Sequence, residues 1–348
     1  MIGLTYSPKD VVENGGTIVF RSSNIQNGMI DYSDLVRVTK PIKERIITKE
    51  KDILICARNG SQRLIGKNTL LRESDAGNTF GAFMMVYRSD NNDIIHPLLS
   101  TKQYISQVAE NLGARINQIT TSDLNSFEFF LPQESEEKRK IGELFALINE
   151  RIETQNKIIE DVKKLKSAIY ETIFNSMKGK MFSLADVAEI NKGKQLNGEF
   201  LTEIGDYYVM NGGAEPSGYY HAFNVSANTI SISEGGNSCG YIQWNSVPFW
   251  SGGHCYTLNI KDKSVENKYL YHYLKWCEPE IMKLRIGSGL PNIQKKDLER
   301  VSIIIPTNST QKEIIDLVDS IDRKIDTECS ISLLLNRQKS YLLSTLFI

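Results

Sequence analysis

The chain has 348 residues, 41% hydrophobic and 24% charged, with a net charge of −1. That balance suits a globular protein long enough for two domains with something between them. It lacks the basic excess by which many nucleic-acid binders declare themselves, and no run of about 18 apolar residues offers a bilayer span.

The charge is evenly spread: +1 for residues 1–132, +1 for 134–180, −2 for 181–306 and −1 for 307–348. Any DNA contact must therefore come from local patches, or from partners that neutralise the remaining phosphates. The N-terminus has no basic-then-apolar signal pattern, and the five cysteines show no C-x-x-C spacing. The expectation is a reducing cytoplasm, with no disulfide framework and no zinc knuckle.

Residues 1–133 alternate short apolar runs with turn signals. Strands are expected at Thr17–Phe20, Asp52–Cys56 and Phe80–Val86, with Asn27-Gly28 and Asn59-Gly60 as turns. A helix is expected over roughly Leu98 to Asn111. Residues 181–306 repeat that grammar, with strands at Tyr207–Met210, Asn228–Ser233 and Tyr256–Ile260 and a helix over Asn267 to Trp276. The fold class is α+β: two mixed, strand-rich domains, each followed by a long helix at 134–180 and 307–348.

The helical segments carry an apolar stripe at 3-4 spacing, the pattern of a coiled-coil seam. The first copy reads Phe145, Ile148, Ile152, Gln155, Ile159, Val162, Lys166, Ile169, Ile173; the second reads Val318, Ile321, Ile325, Glu328, Ser332, Leu335, Lys339, Leu342, Leu346. At about 1.5 Å per residue a 40-residue helix spans about 60 Å. The two copies match at an offset of 173, with Ile148, Ile152, Thr154, Ile158, Lys166, Ser167, Thr172 and Phe174 recurring unchanged. Upstream, Asp123-Leu124 recurs as Asp297-Leu298 at an offset of 174. A repeat of a whole globular-plus-helical unit predicts an internal pseudo-two-fold molecule whose helices pair antiparallel. Facing positions then have a constant sum. A sum of 494 sets Ile152 on Leu342, Ile159 on Leu335, Lys166 on Glu328 and Lys339 on Gln155, so that polar layers meet polar layers.

Four further segments carry a family resemblance: Phe182-Ser-Leu-Ala-Asp-Val-Ala-Glu-Ile190, the Gly212-Gly213-x-x-Pro216-Ser-Gly-Tyr219 turn, Gly287-Ser-Gly289-x-Pro291-x-Ile293, and Pro306 through Gln311-Lys312-x-Ile314 to Ile325. With Arg21-Ser-Ser-Asn-Ile-Gln-Asn-Gly28 and Ile53-Leu-Ile-Cys-Ala-Arg-Asn-Gly60 in the first half, the chain resembles the specificity subunits of type I restriction-modification systems over nearly its whole length. The resemblance implies a non-catalytic reader of double-stranded DNA, with two target-recognition domains for a split, asymmetric site and two helices as spacer and docking frame. It implies two modification subunits that use S-adenosylmethionine to methylate adenine, and restriction subunits that use ATP and Mg2+. No cofactor or metal is expected in the chain itself, and no membrane. The first domain begins where the second has reached Gly193, so it has no counterpart of Phe182–Ile190.

Sequence is read in DNA grooves by Arg, Lys, Asn, Gln and Ser on exposed loops. In the first domain such candidates are Arg21, Ser23, Asn24 and Gln26, and the loop Arg58, Asn59, Ser61, Gln62 and Arg63 with Lys67. In the second they are Asn211, Ser217 and Tyr219, then Asn237, Ser238, Tyr241 and Gln243, with Lys192, Lys194, Lys295 and Lys296 for phosphates. The helix seam residues are the expected spacer and docking positions. The four histidines are scattered, and no Walker loop, dinucleotide fingerprint or nucleophile elbow appears. The rival readings are a protein-interaction scaffold organised by the coiled coil, and a nuclease fused to recognition domains.

Overall fold

Strands form where β-branched and aromatic residues lie between turn signals. The computed structural model describes residues 3–114, 117–287, 289 and 291–347, so Ser288 of the Gly287–Ile293 motif lies outside the described residues. The chain divides into two units, Met1–Asn156 with Ser330–Ile348, and Lys157–Cys329.

In the first unit Ile53–Cys56 is the central strand of three, antiparallel to Asn68–Leu70 and Met84–Tyr87. All four of its side chains are buried, because both faces are covered. Alternation sends Leu54 and Cys56 into one core with Val19, Phe20 and Phe80, and Ile53 and Ile55 into another with Tyr104 and Val108. The expected run Phe80–Val86 is broken by a turn in which Met84 N donates to Gly81 O at 2.9 Å, leaving strands Thr79–Phe80 and Met84–Tyr87. The expected Leu98–Asn111 helix is likewise two helices, Asn92–Leu98 and Lys102–Ala114. Thr101 divides them: its hydroxyl donates back to Leu98 O (2.7 Å) and accepts from Tyr104 N (3.3 Å), which caps the second helix.

In the second unit Thr229–Ser233 is the equivalent central strand, between Ile242–Asn245 and Cys255–Ile260. A fourth strand, Ala188–Lys192, adds to the far side of Cys255–Ile260. Lys180–Ser183 pairs with Ser302–Ile305, and Ser183 with Asp186 forms a capping box that starts the short helix Leu184–Val187. The Phe182–Ile190 motif is thus strand, helical turn, strand. No such segment flanks Met84–Tyr87 among the described residues. Glu128–Leu131, the counterpart of Ser302–Ile305, has no assigned strand, and Phe130 is 73% exposed.

Two long helices, Ser135–Asn175 and Asn308–Leu346, complete the fold. In the first unit Ile141 and Phe145 cluster with Leu343 and Phe347 against Ile94 and Leu98, and Ser332 Oγ donates to Asn156 Oδ1 at 3.0 Å. In the second, Tyr170 and Phe174 share a core with Ile314 and Val318, and Lys166 Nζ bonds Asp322 Oδ1 at 2.5 Å. Both pairings are antiparallel, and both put facing positions at a sum of 488. The predicted stripe is the buried one: Ile152, Gln155 and Glu328 are buried, while Ile148, Ile159, Val162, Lys166, Ile169, Ile173, Ile321, Ile325, Leu335, Lys339 and Leu342 are half-buried. Leu346 is an exception, exposed while Phe347 turns inward.

The predicted sum of 494 is a slip of six residues. Lys166 pairs with Asp322 rather than Glu328, and Glu328 pairs with Lys324 of its own helix. Matching polar layers counted the weaker force. Register is set where helix residues enter apolar cores, and burying those side chains outweighs what one polar layer gains.

Candidate nucleic-acid interface

The two predicted segments of the first domain meet. Asn59 Nδ2 donates to Ser22 Oγ (3.0 Å), while Asn59 Oδ1 accepts from Ser61 N (2.9 Å), so Asn59 ties Arg21–Gln26 to Arg58–Lys67. Arg58, Ser61, Gln62 and Arg63 are exposed on this loop, whose end is tightened by the short 3-10 helix Gln62–Leu64. Arg63, Gln62 and Lys67 also line a groove of about 650 Å³ floored by Ile65, Tyr104 and Val108. Arg21 bonds Asp34 Oδ2 at 2.8 Å, and Gln26 donates to Ser23 O at 2.9 Å. Ser23 is exposed. Asn24 is different: it is 1% exposed, its Oδ1 accepts a hydrogen bond from Arg21 N, and its Nδ2 donates to Asp31 O and Asp34 O. It braces the loop and has nothing left for a base.

In the second domain Asn237 is exposed and Ser238 half-buried on the Gly235–Gly240 turn, the topological counterpart of Arg58–Arg63. The equivalence rests on the backbone: Ala57 and Glu234 each follow the central strand, and their carbonyls accept from Ile119 N and Ile293 N, both at 2.9 Å. Ser217 is exposed on the turn before Tyr219–Tyr220. Tyr219, Tyr241, Asn211 and Gln243 are half-buried. Tyr219 pairs with Tyr208 in a strand, Lys275 Nζ lies 4.1 Å from the Tyr241 ring, Asn211 Oδ1 accepts from His254 N (3.1 Å), and Gln243 sits opposite Ser231. Lys192, a predicted phosphate ligand, instead bonds the buried carboxylate of Glu234 at 2.7 Å.

Three residues beside these loops were missed by the sequence reading: Phe83, Glu234 and His254. Glu234 is 6% exposed; its Oε1 receives Lys192 and the Tyr256 hydroxyl (2.8 Å), and its Oε2 has no hydrogen bond among the described residues. Burial, with the neighbouring carboxylate, pushes the Tyr256 phenol upward, so it stays protonated and donates. A signal was available: Gly81-Ala-Phe83 and Gly252-Gly-His254 each end a glycine turn immediately before a strand.

A separate polar cluster lies in the second unit. Tyr170 Oη and His272 Nδ1 are 3.0 Å apart, and His272 Nε2 is 2.9 Å from Asp319 Oδ1. His272, Asp319 and Asp322 together have donors spaced for a cation. The ammonium groups of Lys268 (3.6 Å from Asp319) and Lys166 already compensate those carboxylates. The arrangement is a charge-balanced brace between helix and domain.

A strand-rich scaffold thus occurs twice in the chain with different polar loops, each copy followed by a long helix. The type I restriction modification DNA specificity domain matches this chain twice, over residues 3–164 and 178–337, and the chain belongs to that family. A Mycoplasma pneumoniae protein named as a type I specificity subunit is 33% identical over 146 residues, 41% of this chain and 39% of its own length. The chain therefore spans about two fifths of that relative in alignment. It aligns with the StySPI type I restriction enzyme specificity subunit of Salmonella potsdam at 23% identity, over 93% of this chain and 80% of the relative. Among solved structures, the type I restriction-modification S subunit from M. genitalium superposes with a TM-score of 0.65 at 19% identity, covering 100% of this chain and 93% of that one. A second, from work on complex assembly and conformational transition of the type I system, gives 0.55 at 17% identity over 99% and 95%. No described helix is long and apolar enough to cross a membrane.

Proposed function

We propose that the chain is the DNA sequence-specificity subunit of a type I restriction-modification complex, reading a split, asymmetric duplex site with one domain per half. The observation that supports this most is the contrast between scaffold and loop. Equivalent backbone turns carry Arg58, Asn59, Ser61, Gln62 and Arg63 in one domain and Gly235, Gly236, Asn237 and Ser238 in the other. Changing loops on a constant frame is what two unrelated half-sites require. In this reading 1–133 and 181–306 are the recognition domains, and 134–180 and 307–348 the spacer.

Chemistry would belong to partners: modification subunits carrying S-adenosylmethionine, and restriction subunits using ATP and Mg2+. The seam residues are occupied by helix pairing, so docking falls to the outer faces. Leu147, Leu165, Leu333, Leu334 and Tyr341 are each more than half exposed there, more apolar surface than a solvated helix needs. The test is selection of randomised duplexes by the chain in complex with its modification partner. A bipartite sequence with a fixed gap is expected; enrichment of no bipartite sequence overturns the reading.

A further inference from the structure

Two rings occupy one position in the repeated scaffold. Phe83 O accepts from Ala57 N (2.9 Å) and Arg58 N (3.0 Å), and His254 O accepts from Glu234 N (2.9 Å). Ahead of them, Gly81 N donates to Phe20 O and Gly252 N to Met210 O, at 2.9 and 2.8 Å. The backbone is therefore pinned on both sides, and each residue immediately precedes a strand antiparallel to the central one. The side chains stay out: Phe83 is 60% exposed and the His254 side chain 61%. An apolar ring left that open on a rigid frame is not a packing residue.

Their neighbours differ in kind. The Arg58 guanidinium stands 5.4 Å from the Phe83 ring centroid, a cation–π contact that joins the ring to the exposed loop. His254 Nδ1 stands 3.7 Å from Glu234 Oε2, the carboxylate oxygen without a hydrogen bond among the described residues. A carboxylate on that side favours the tautomer with its proton on Nδ1, in which Nε2 is the acceptor. From these observations we propose that Phe83 and His254 are base-reading residues at one equivalent position of the two half-sites. Phe83 selects a thymine through its methyl group, and His254, oriented by Glu234, selects a base that presents an exocyclic amino group in the major groove. The groove code supports the division: an apolar side chain suits the thymine methyl, and an acceptor suits the amino group of adenine or cytosine.

This rests on the specificity reading above, and its test separates the two. The complex of the full chain with its modification subunits is carried through the same selection as wild type, Phe83→Ala and His254→Phe. Each variant should lose about tenfold of base preference at one position of one half-site, leaving the other half-site unchanged. Deoxyuridine in place of thymine at the Phe83-dependent position should weaken wild type and leave Phe83→Ala unaffected. Melting curves confirm that both variants fold, as exposed side chains permit. If wild type enriches a bipartite site and both variants enrich it identically, these two residues are not readers while the specificity reading stands. If wild type enriches none, both ideas fall.

Discussion

The long helices enter a domain core in each unit, and the two junctions are built from equivalent positions in different chemistry. In the second unit Phe174 is 2% exposed, its ring centroid 5.3 Å from Tyr273 and Trp276, and one helical turn earlier Tyr170 meets His272, which in turn bonds Asp319. In the first unit the matching positions are Phe347, Leu343 and Ala146, and Phe347 stacks on Phe145 at 5.8 Å with 9% exposure. One junction is an aromatic and polar brace, the other a smaller apolar cap. A repeat can thus keep helix phase and still give its two halves different local stability.

The largest separation should come from cutting back the shared phenylalanine. Phe174→Ala removes a ring enclosed by four aromatic neighbours and should cost about 3–5 kcal/mol, whereas Phe347→Ala, at the rim of a smaller cluster, should cost about 1–3 kcal/mol. Urea unfolding followed by signals from each unit would measure both. Equal losses would mean that the two junctions are energetically alike, and the contrast drawn from their geometry would fail.

A pH scan sharpens the comparison next. Burial holds both His96 and His272 at about 4, well below the usual 6.5. Lys339 adds to the effect at His96, while Asp319 opposes it at His272. The unfolded chain takes up these protons near pH 6.5, and the folded chain resists until about pH 4. Stability is therefore full above 6.5, falls as pH drops through that window, and levels off below it. The gap corresponds to about 3 kcal/mol at most for each histidine. His96→Gln and His272→Gln should each flatten part of the fall measured by denaturant midpoints between pH 7 and 4. A slope unchanged by both would assign it to other groups.

Much of this was legible in the sequence, because helical period and strand alternation are written in side-chain type. The seam from Ile148 to Ile173 and the central strands Ile53–Cys56 and Thr229–Ser233 follow directly from that patterning. What failed depended on tertiary fit. The register slipped because residues such as Phe145 and Phe174 enter apolar cores, which sets Lys166 against Asp322, a residue off the predicted stripe. Asn24 looked like an exposed reader, but its amide completes three loop hydrogen bonds that no local pattern announces. Phe83 falls within the expected strand Phe80–Val86, and only the Gly81 turn shows it projecting. The candidate loops were placed by their turn residues, whereas the rings beside them are set by tertiary contacts.

The smallest effect is the most discriminating, because it should change sign between equivalent positions. Lys166 and Lys339 are the same residue at the same helix phase, both half-buried. Lys166 has its charge answered by Asp322 and lies 5.2 Å from the Tyr170 ring. Lys339 forms no ion pair among the described residues, and burial lowers its ammonium below the usual lysine range. Lys166→Met should destabilise by about 1 kcal/mol, since it leaves Asp322 without that partner and removes the cation–π contact. Lys339→Met should be neutral or stabilising by up to about 1 kcal/mol, since a desolvated charge is exchanged for an apolar chain of similar length. Equal destabilisation by both substitutions, in the same unfolding assay, would mean that Lys339 is compensated in the folded chain after all, and that a common lysine serves both junctions in one way.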